Sequence, residues 1–351
     1  MQPTHRRSAT SAASPTPVAG DRRFALAVTL LSAWVVAGAY ADAWAHHNVP
    51  GLETFFTPWH GLLYGGFVAL GGFLLAAAGR RRLAGVGWRE SLPAGYELAP
   101  LGALLFALGG VGDLLWHAAF GIEVGIEALL SPTHLLLAGG FGLLVSAPAR
   151  AFWRRASAPT DWRGRFPAVL SLALTVAVLT FFSEYANAFS QPWASGAAHT
   201  EPRELGQMLG VTAVLLQAAL LTGAILLALR RGLLFDGALT ILLVLPAALA
   251  IIPHEEFRFL PAALLTGVAA DLLRRWQRPG PARPVALRGF AFAVPALLFA
   301  AYFATLAITD TIGWSVHLWA GTILLAGVVG WLLSYLLLAP DAAARADAEW
   351  C

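Results

Sequence analysis

Aspartate and histidine recur in this sequence at spacings that suit metal binding. Two segments carry an aspartate, a histidine four residues later and another histidine further on: Asp42, His46 and His60, then Asp113, His117 and His134. Residues four apart on a helix share one face, and imidazole with carboxylate is a ligand set for divalent copper, zinc or iron. We therefore predict that these residues bind metal, in two sites or in one shared site.

The last histidine of each set lies in a repeated pattern. Residues 53–67 read ETFFTPWHGLLYGGF and residues 127–141 read EALLSPTHLLLAGGF. Both contain Ser/Thr-Pro-x-His, which is typical of a helix start: the hydroxyl caps the helix, proline takes the first position and histidine lies in the first turn. Glu53 and Glu127, about two turns earlier, are predicted as general bases, as ligands or as hydrogen-bond partners of a ligand imidazole.

Weaker copies of the pattern follow along the chain. Asp310 and His317 keep the spacing of seven between acid and histidine, and we predict them as further metal ligands. In the segment around 185–191, Asn187 and Gln191 replace the aspartate and histidine. The isolated His47 and His254 are interpreted as interfacial residues, because a lone histidine near a membrane surface usually makes only hydrogen bonds. For Glu184, a packing role and a functional role both fit the sequence.

The composition excludes several kinds of chemistry. All 23 basic residues are arginine, so Schiff-base lysines and P-loop lysines are excluded. One cysteine, Cys351, and two methionines exclude disulfide frameworks, thiolate zinc sites and a thioether path for Cu(I). The metal is therefore predicted to be a divalent transition metal, copper first and zinc or iron next. We expect no nucleic-acid partner.

Hydropathy indicates a membrane protein. The chain has 351 residues, of which 58% are hydrophobic and only 12% charged, with a mean hydropathy of +0.67. Because a membrane-spanning helix needs about 20 apolar residues, we predict an all-α polytopic protein with about ten transmembrane helices. The predicted transmembrane domain covers 23–339, between a disordered tail at 1–22 and a second tail at 340–351. Its helices are paired as five hairpin repeats, at about 24–78, 98–148, 167–229, 235–275 and 287–338.

Arginine predicts the orientation in the membrane. All but two of the arginines, Arg203 and Arg258, lie in the N-terminal tail, in the loops that follow even-numbered helices or in the C-terminal tail. Cytoplasmic loops are enriched in arginine, so both termini are predicted to be cytoplasmic. Eight of the nine histidines then lie at the other ends of the helices, and the metal site is predicted to face the extracytoplasmic side of the cell membrane.

The spacing of the first set resembles a known copper motif. Asp42-x3-His46-x13-His60 is similar to a segment of the C subunit of copper-containing membrane monooxygenases, the particulate methane and ammonia monooxygenase group. In that subunit Asp, His and His bind copper at the outer side of the membrane, and a neighbouring Asn-x3-His…His set forms a second site. The resemblance covers about 40 residues and implies copper at Asp42, His46 and His60. The segment Asn187-x3-Gln191 has the asparagine of the second site but lacks its histidine.

Three classes of function fit these features. The first is a metal-dependent membrane enzyme, either oxidative with copper or iron or hydrolytic with a metal-bound water and a glutamate base. The second is a transporter of divalent cations or protons, and the third is a non-catalytic metal-binding or assembly subunit. Because the inner halves of the helices are almost wholly aliphatic, with Asp271 as the main exception, the enzyme is predicted first. Its expected partners are the lipid bilayer, the metal ion and other membrane subunits.

Overall fold

The computed structural model describes residues 22–50, 56–121, 125–155, 159, 161–198 and 203–337. Both predicted tails lie outside these ranges, apart from Arg22. Within them the chain is helical and contains no β-strand. Its helices are α1 (Arg22–Asn48), α2 (Pro58–Leu83), α3 (Ala99–Phe120), α4 (Ile126–Leu130), α5 (Pro132–Val145), α6 (Ala147–Trp153), α7 (Trp162–Phe182), α8 (Arg203–Arg230), α9 (Ala238–Ala250), α10 (Leu260–Gln277), α11 (Pro284–Thr309) and α12 (Val316–Ser334).

Seven of the described helices are long and apolar enough to cross a membrane: α1, α2, α3, α7, α8, α11 and α12. The pair α5 and α6, bent by 43° at its junction, would make an eighth span. The predicted count of ten is not confirmed. Helix α9 has only 13 residues, about 20 Å of helix against a hydrocarbon core of about 30 Å. Helix α10 carries an acid and two arginines among its 18 residues.

Neighbouring helices pack as antiparallel pairs in most of the bundle. The closest pairs are α1 with α2, α3 with α5, α9 with α10 and α11 with α12. Helices α7 and α8 depart from this arrangement, because α7 packs mainly on α9 and α1 while α8 packs mainly on α12. The five-hairpin repeat therefore stays a prediction. The cytoplasmic location of the termini, which helix packing does not test, also stays a prediction.

Glycine sets the separation within the first two pairs. A Cβ atom placed on Gly38 of α1 would lie 2.7 Å from Leu63 Cα of α2. On Gly109 of α3, it would lie 2.9 Å from the backbone nitrogen of Leu137 of α5. Small residues at helix crossings let the two backbones approach closely. Each crossing lies about one turn from the predicted ligands, so it controls the distance between the aspartate of one helix and the histidine of the next.

Helix α7 joins two hydrophobic cores. Its residues Leu174, Ala177 and Val178 belong to a core built with α1, α2, α3 and α5. Val169 and Leu172 belong to a second core built with α8 to α12. The residues that follow α7 therefore lie where the two halves of the bundle meet.

Candidate metal centres

The predicted helix start before His60 is confirmed. Thr57 has an extended backbone and is the N-cap of α2, with Pro58 at the first helical position. The backbone N–H of His60 donates to Thr57 Oγ1 over 3.0 Å. Asp42 lies two turns before the end of α1, and His46 lies one turn after it on the same face. Because α1 and α2 are antiparallel neighbours, the end of one helix faces the start of the next.

Asp42, His46 and His60, here called the Asp42 cluster, form a three-ligand group. Asp42 Oδ2 is 3.3 Å from His60 Nε2 and 3.7 Å from His46 Nε2, and the ligand atoms all lie within 4.8 Å of one another. Zinc-like tetrahedral coordination separates ligand atoms by about 3.4 Å, so a small ion fits between these atoms. The side chains of Asp42 and His60 are 14% and 12% exposed and that of His46 is 38% exposed, so the cluster is open at His46.

Thr57 also orients the ring of His60. Its Oγ1 is 3.2 Å from His60 Nδ1. If Nδ1–H donates to the hydroxyl, Nε2 is left unprotonated and directed at Asp42. An unprotonated nitrogen is the form that binds metal, and a hydrogen bond at the opposite nitrogen is the usual partner of a ligand histidine.

Asp113, His117 and His134, here called the Asp113 cluster, occupy the corresponding ends of α3 and α5. Asp113 is almost fully buried; its Oδ2 is 3.4 Å from His117 Nε2 and its Oδ1 is 3.2 Å from His134 Nδ1. The same Oδ1 accepts a hydrogen bond from the Thr133 hydroxyl. In the part of the chain that the structure describes, the Asp113 cluster is not one of the groups whose ligand atoms all converge within 4.8 Å. The Asp113 cluster therefore resembles a hydrogen-bonded network more closely than the Asp42 cluster does.

The two clusters belong to one polar region. The Tyr64 ring stacks near His60, with centroids 6.1 Å apart, and rests on Gly110 of α3, where a Cβ atom would lie 2.8 Å from Tyr64 Cε1. Tyr64 therefore lies between His60 and the helix that carries Asp113.

Only Glu127 of the two predicted glutamate bases lies in the part of the chain that the structure describes. Glu53 lies outside the described residues. Glu127 lies in the first turn of the short helix α4, with its side chain exposed. A base role for either residue stays a prediction.

Asp310 and His317 are not brought together. Asp310 ends α11, where it accepts a hydrogen bond from the Ser195 hydroxyl and lies 3.6 Å from Arg258 Nη1. The Ser195 hydrogen bond, together with backbone N–H donors and the arginine charge, lowers the pKa of the Asp310 carboxyl below its ordinary value. His317 is exposed in the first turn of α12. Asp310 therefore has partners that fix a loop, and the two residues do not form a site like the Asp42 cluster.

A third group was missed by the sequence analysis. His47, Glu184 and His254, here called the Glu184 cluster, also have ligand atoms within 4.8 Å of one another. Glu184 Oε1 is 2.7 Å from His254 Nε2 and 4.0 Å from His47 Nε2, and the two imidazole rings lie 4.2 Å apart. Each residue comes from a different part of the chain: the end of α1, the turn after α7 and the turn after α9.

Hydrogen bonds from α1 hold the Glu184 cluster together. Asn48 Nδ2 donates to the carbonyl of Pro253 over 2.8 Å, and Trp44 Nε1 donates to Glu255 over 3.1 Å. Glu255 has a φ of 58°, in the left-handed region that non-glycine residues seldom adopt. This turn therefore holds His254 against Glu184 at the expense of backbone strain. The one signal in the sequence was Glu184 itself, an acid at the end of an apolar span with no basic residue beside it.

No protein-family model, no curated protein and no solved structure matches the chain. The similarity of the Asp42 segment to the monooxygenase C subunit therefore stays a prediction. The chemistry that the described residues offer is that of imidazole and carboxylate groups at the ends of apolar helices, and these groups could bind a metal ion.

Proposed function

We propose that this chain is a metal-dependent membrane enzyme with its metal ion bound by Asp42, His46 and His60. The observation that carries the proposal is the approach of one carboxylate oxygen and two imidazole nitrogens to within 4.8 Å of one another. Three protein ligands leave a coordination position open, which is typical of catalytic rather than structural metal sites. The greater exposure of His46 supports an open position on the accessible side of the cluster.

Copper is the first candidate for the ion, with zinc or iron next. Two imidazoles and a carboxylate without sulfur suit Cu(II), Zn(II) and Fe(II), and the resemblance to the monooxygenase C subunit favours copper. A bound copper or iron ion would supply redox chemistry, and a zinc ion would supply an activated water. We therefore place oxidation first and hydrolysis second.

The residues of the chain have separate tasks in this proposal. Asp42 neutralises part of the charge of the ion, and Thr57 keeps His60 in the tautomer that binds. Phe56, just before Thr57, has 81% of its surface exposed. An exposed aromatic residue next to the start of α2 favours a small or lipophilic substrate that arrives from outside or from the lipid phase.

Transport is the weaker alternative because of what Asp271 does. This buried acid accepts hydrogen bonds from the backbone nitrogens of Leu239 and Thr240 and from the Thr240 hydroxyl. It therefore caps the start of α9, where the unpaired N–H groups of a helix favour an anion. Asp271 is the main ionisable residue in the otherwise aliphatic inner halves of the helices. It has a structural role there and is not a cation relay.

We further propose that both termini are cytoplasmic and that the Asp42 cluster faces the extracytoplasmic side of the cell membrane. Arg80, Arg81 and Arg82 lie in the last turn of α2, while His60 lies in its first turn. The 26 residues of α2 extend about 39 Å. The arginine-rich end and the cluster therefore lie at opposite ends of a helix long enough to cross the bilayer, which supports the predicted orientation.

Metal content tests the proposal. The detergent-purified protein is loaded with Cu(II) or Zn(II), freed of excess metal by gel filtration and measured by elemental analysis. We expect the wild type to retain metal and Asp42→Asn and His60→Ala to retain less, whereas Asp161→Asn, an exposed acid at the start of α7, retains as much as wild type. Wild type without bound metal after loading with either ion would overturn the proposal.

A further inference from the structure

We propose that the Glu184 cluster binds a second metal ion, separate from the ion of the Asp42 cluster. The site would take a divalent transition metal through one carboxylate and two imidazoles. It lies between the two halves of the helical bundle, where α1 meets the turns that follow α7 and α9.

The first support is a buried carboxylate oxygen that no donor satisfies. The Glu184 side chain is only 6% exposed, and its Oε1 accepts no hydrogen bond from any described residue. A buried charge without compensation is strongly unfavourable. Glu184 therefore needs a positive partner at Oε1, the atom that faces the two histidines; a metal ion bound with them would supply it, and a protonated His254 is the competing partner.

The second support is the environment of His254 Nε2. This nitrogen is 2.7 Å from Glu184 Oε1 and 3.0 Å from Gln191 Nε2. In the tautomer of His254 that carries its proton on Nδ1, the single lone pair of Nε2 lies beside the carboxylate oxygen. A metal ion bound by both atoms would stabilise this close approach, and the Gln191 amide would then turn from Nε2 to other partners.

The third support is the tautomer of His47. Its Nδ1 is 2.8 Å from the carbonyl oxygen of Ala43, which can only accept. Nδ1 is thus the protonated nitrogen, and in the neutral ring Nε2 is left with a lone pair directed at Glu184. An imidazole that donates from one nitrogen to a backbone carbonyl and offers the other to the site is the usual geometry of a ligand histidine.

The two clusters use different ligands from the same helix. His46 and His47 are consecutive on α1, and consecutive residues of an α-helix point about 100° apart. His46 is therefore directed at Asp42 and His60, and His47 at Glu184 and His254. An ion in the Glu184 cluster would join three segments from both halves of the bundle, so it would also stabilise the fold.

Two single variants separate the two sites. Glu184→Gln removes the charge of the second site and keeps the shape of the side chain, and Asp42→Asn does the same at the first. Elemental analysis of protein loaded with Zn(II) or Cu(II) is expected to show that each variant holds one ion fewer than wild type and that the double variant holds two fewer. Glu204→Gln, an exposed acid in the first turn of α8, is the matched control and is expected to bind as wild type.

Thermal unfolding gives a second readout. We expect EDTA to lower the unfolding midpoint of the wild type and to lower that of Glu184→Gln less. Because Glu184 is buried, His47→Gln, at the more exposed edge of the cluster, is the variant to use if Glu184→Gln does not fold.

The outcomes distinguish this inference from the proposed function. If Glu184→Gln and His47→Gln both hold as much metal as wild type, the cluster is only a proton-sharing ion pair and the inference is overturned. If those variants lose an ion while Asp42→Asn loses none, the inference stands and the proposed function fails.

Discussion

Gly38 of α1 lies directly against the backbone of Leu63 of α2. An added Cβ atom would be 2.7 Å from Leu63 Cα, so the helices are as close at this point as two backbones allow. Asp42 is one turn beyond Gly38 and His60 is one turn before Leu63. The distance of 3.3 Å between Asp42 Oδ2 and His60 Nε2 therefore depends on this crossing.

We expect Gly38→Ala to weaken metal binding at the Asp42 cluster. The new methyl group pushes α1 away from α2 and separates the ligands, and overpacking of this kind costs about 1–3 kcal/mol. If that strain falls on the site, the dissociation constant for Zn(II) rises by about tenfold, since a factor of ten corresponds to about 1.4 kcal/mol. Isothermal titration of the purified protein measures the change.

Gly72→Ala is the control for this experiment. A Cβ atom on Gly72, also in α2, would meet nothing within 4 Å, so metal affinity should equal that of wild type. Equal affinities for all three proteins would show that the crossing at Gly38 does not set the geometry of the site.

The Thr57 hydroxyl supplies a second prediction. Thr57→Val removes the partner of His60 Nδ1 together with the helix cap, and we expect metal affinity to fall by about 10- to 100-fold, as for other hydrogen-bond partners of ligand histidines. Thr57→Ser keeps the hydroxyl and should restore most of the affinity. Equal binding by the valine and serine variants would contradict the assigned role.

The Asp310 carboxylate is expected to make the stability of the folded protein depend on pH. Because the pKa of Asp310 is lowered in the folded protein, its charged form contributes stability above the unfolded value of about 3.9, and this contribution is lost as the pH falls through the lower folded value. Asp310→Asn should therefore lower the unfolding midpoint at pH 7, by an amount that shrinks below about pH 4. Tryptophan fluorescence during heating at several pH values measures this.

The comparison needs a control for the loss of one negative charge. Asp161→Asn removes an acid whose side chain makes no capping hydrogen bond and should leave the unfolding midpoint unchanged across the same range. A constant difference between wild type and Asp310→Asn at every pH would rule out the charged form as the source of the stability.

The single cysteine provides a test of orientation. Cys351 is predicted to be cytoplasmic, so a membrane-impermeant maleimide should label it only after the cells are permeabilised. In a Cys351→Ser background, Ala198→Cys, in the loop between α7 and α8, should be labelled in intact cells. The reverse pattern would place the metal clusters on the cytoplasmic side.

Labelling also bears on the number of spans. Termini on the same side of the membrane require an even number of crossings, whereas the seven long helices alone would place them on opposite sides. Cytoplasmic labelling of Cys351 together with a cytoplasmic N-terminus would therefore indicate an even number of crossings, as the seven long helices and the bent pair α5–α6 together would give.

Proteoliposomes separate the enzyme from a carrier. We expect no saturable uptake of Zn(II) or Cu(II) into vesicles that contain the wild-type protein, because Asp271 is held by the first turn of α9. Uptake that is saturable and is abolished by Asp42→Asn would instead favour transport.

Local patterns in the sequence predicted the parts of the site that depend on neighbouring residues. The spacing of Asp42 and His46 predicted a shared helix face, and Thr57-Pro58 predicted the start of the helix that carries His60. These features follow from helix geometry and capping, which act within a few residues of the chain.

Features that depend on the packing of distant segments were not predictable in the same way. The residues of the Glu184 cluster are separated by 137 and 70 positions along the chain, so no spacing rule connects them. They meet because α7 packs on both halves of the bundle. The predicted number of spans is not confirmed for another reason: the apolar run at 235–252 predicts a full crossing, whereas α9 has only 13 residues.

The last turn of α1 contributes His46 to one cluster and His47 to the other. That turn is already ordered by the hydrogen bonds of Trp44 and Asn48, so an ion at one cluster gains nothing from ordering it for the other. Two positive ions on either side of one turn repel each other. If both clusters bind metal as proposed, the second ion therefore binds more weakly than the first, although the two ions share no ligand.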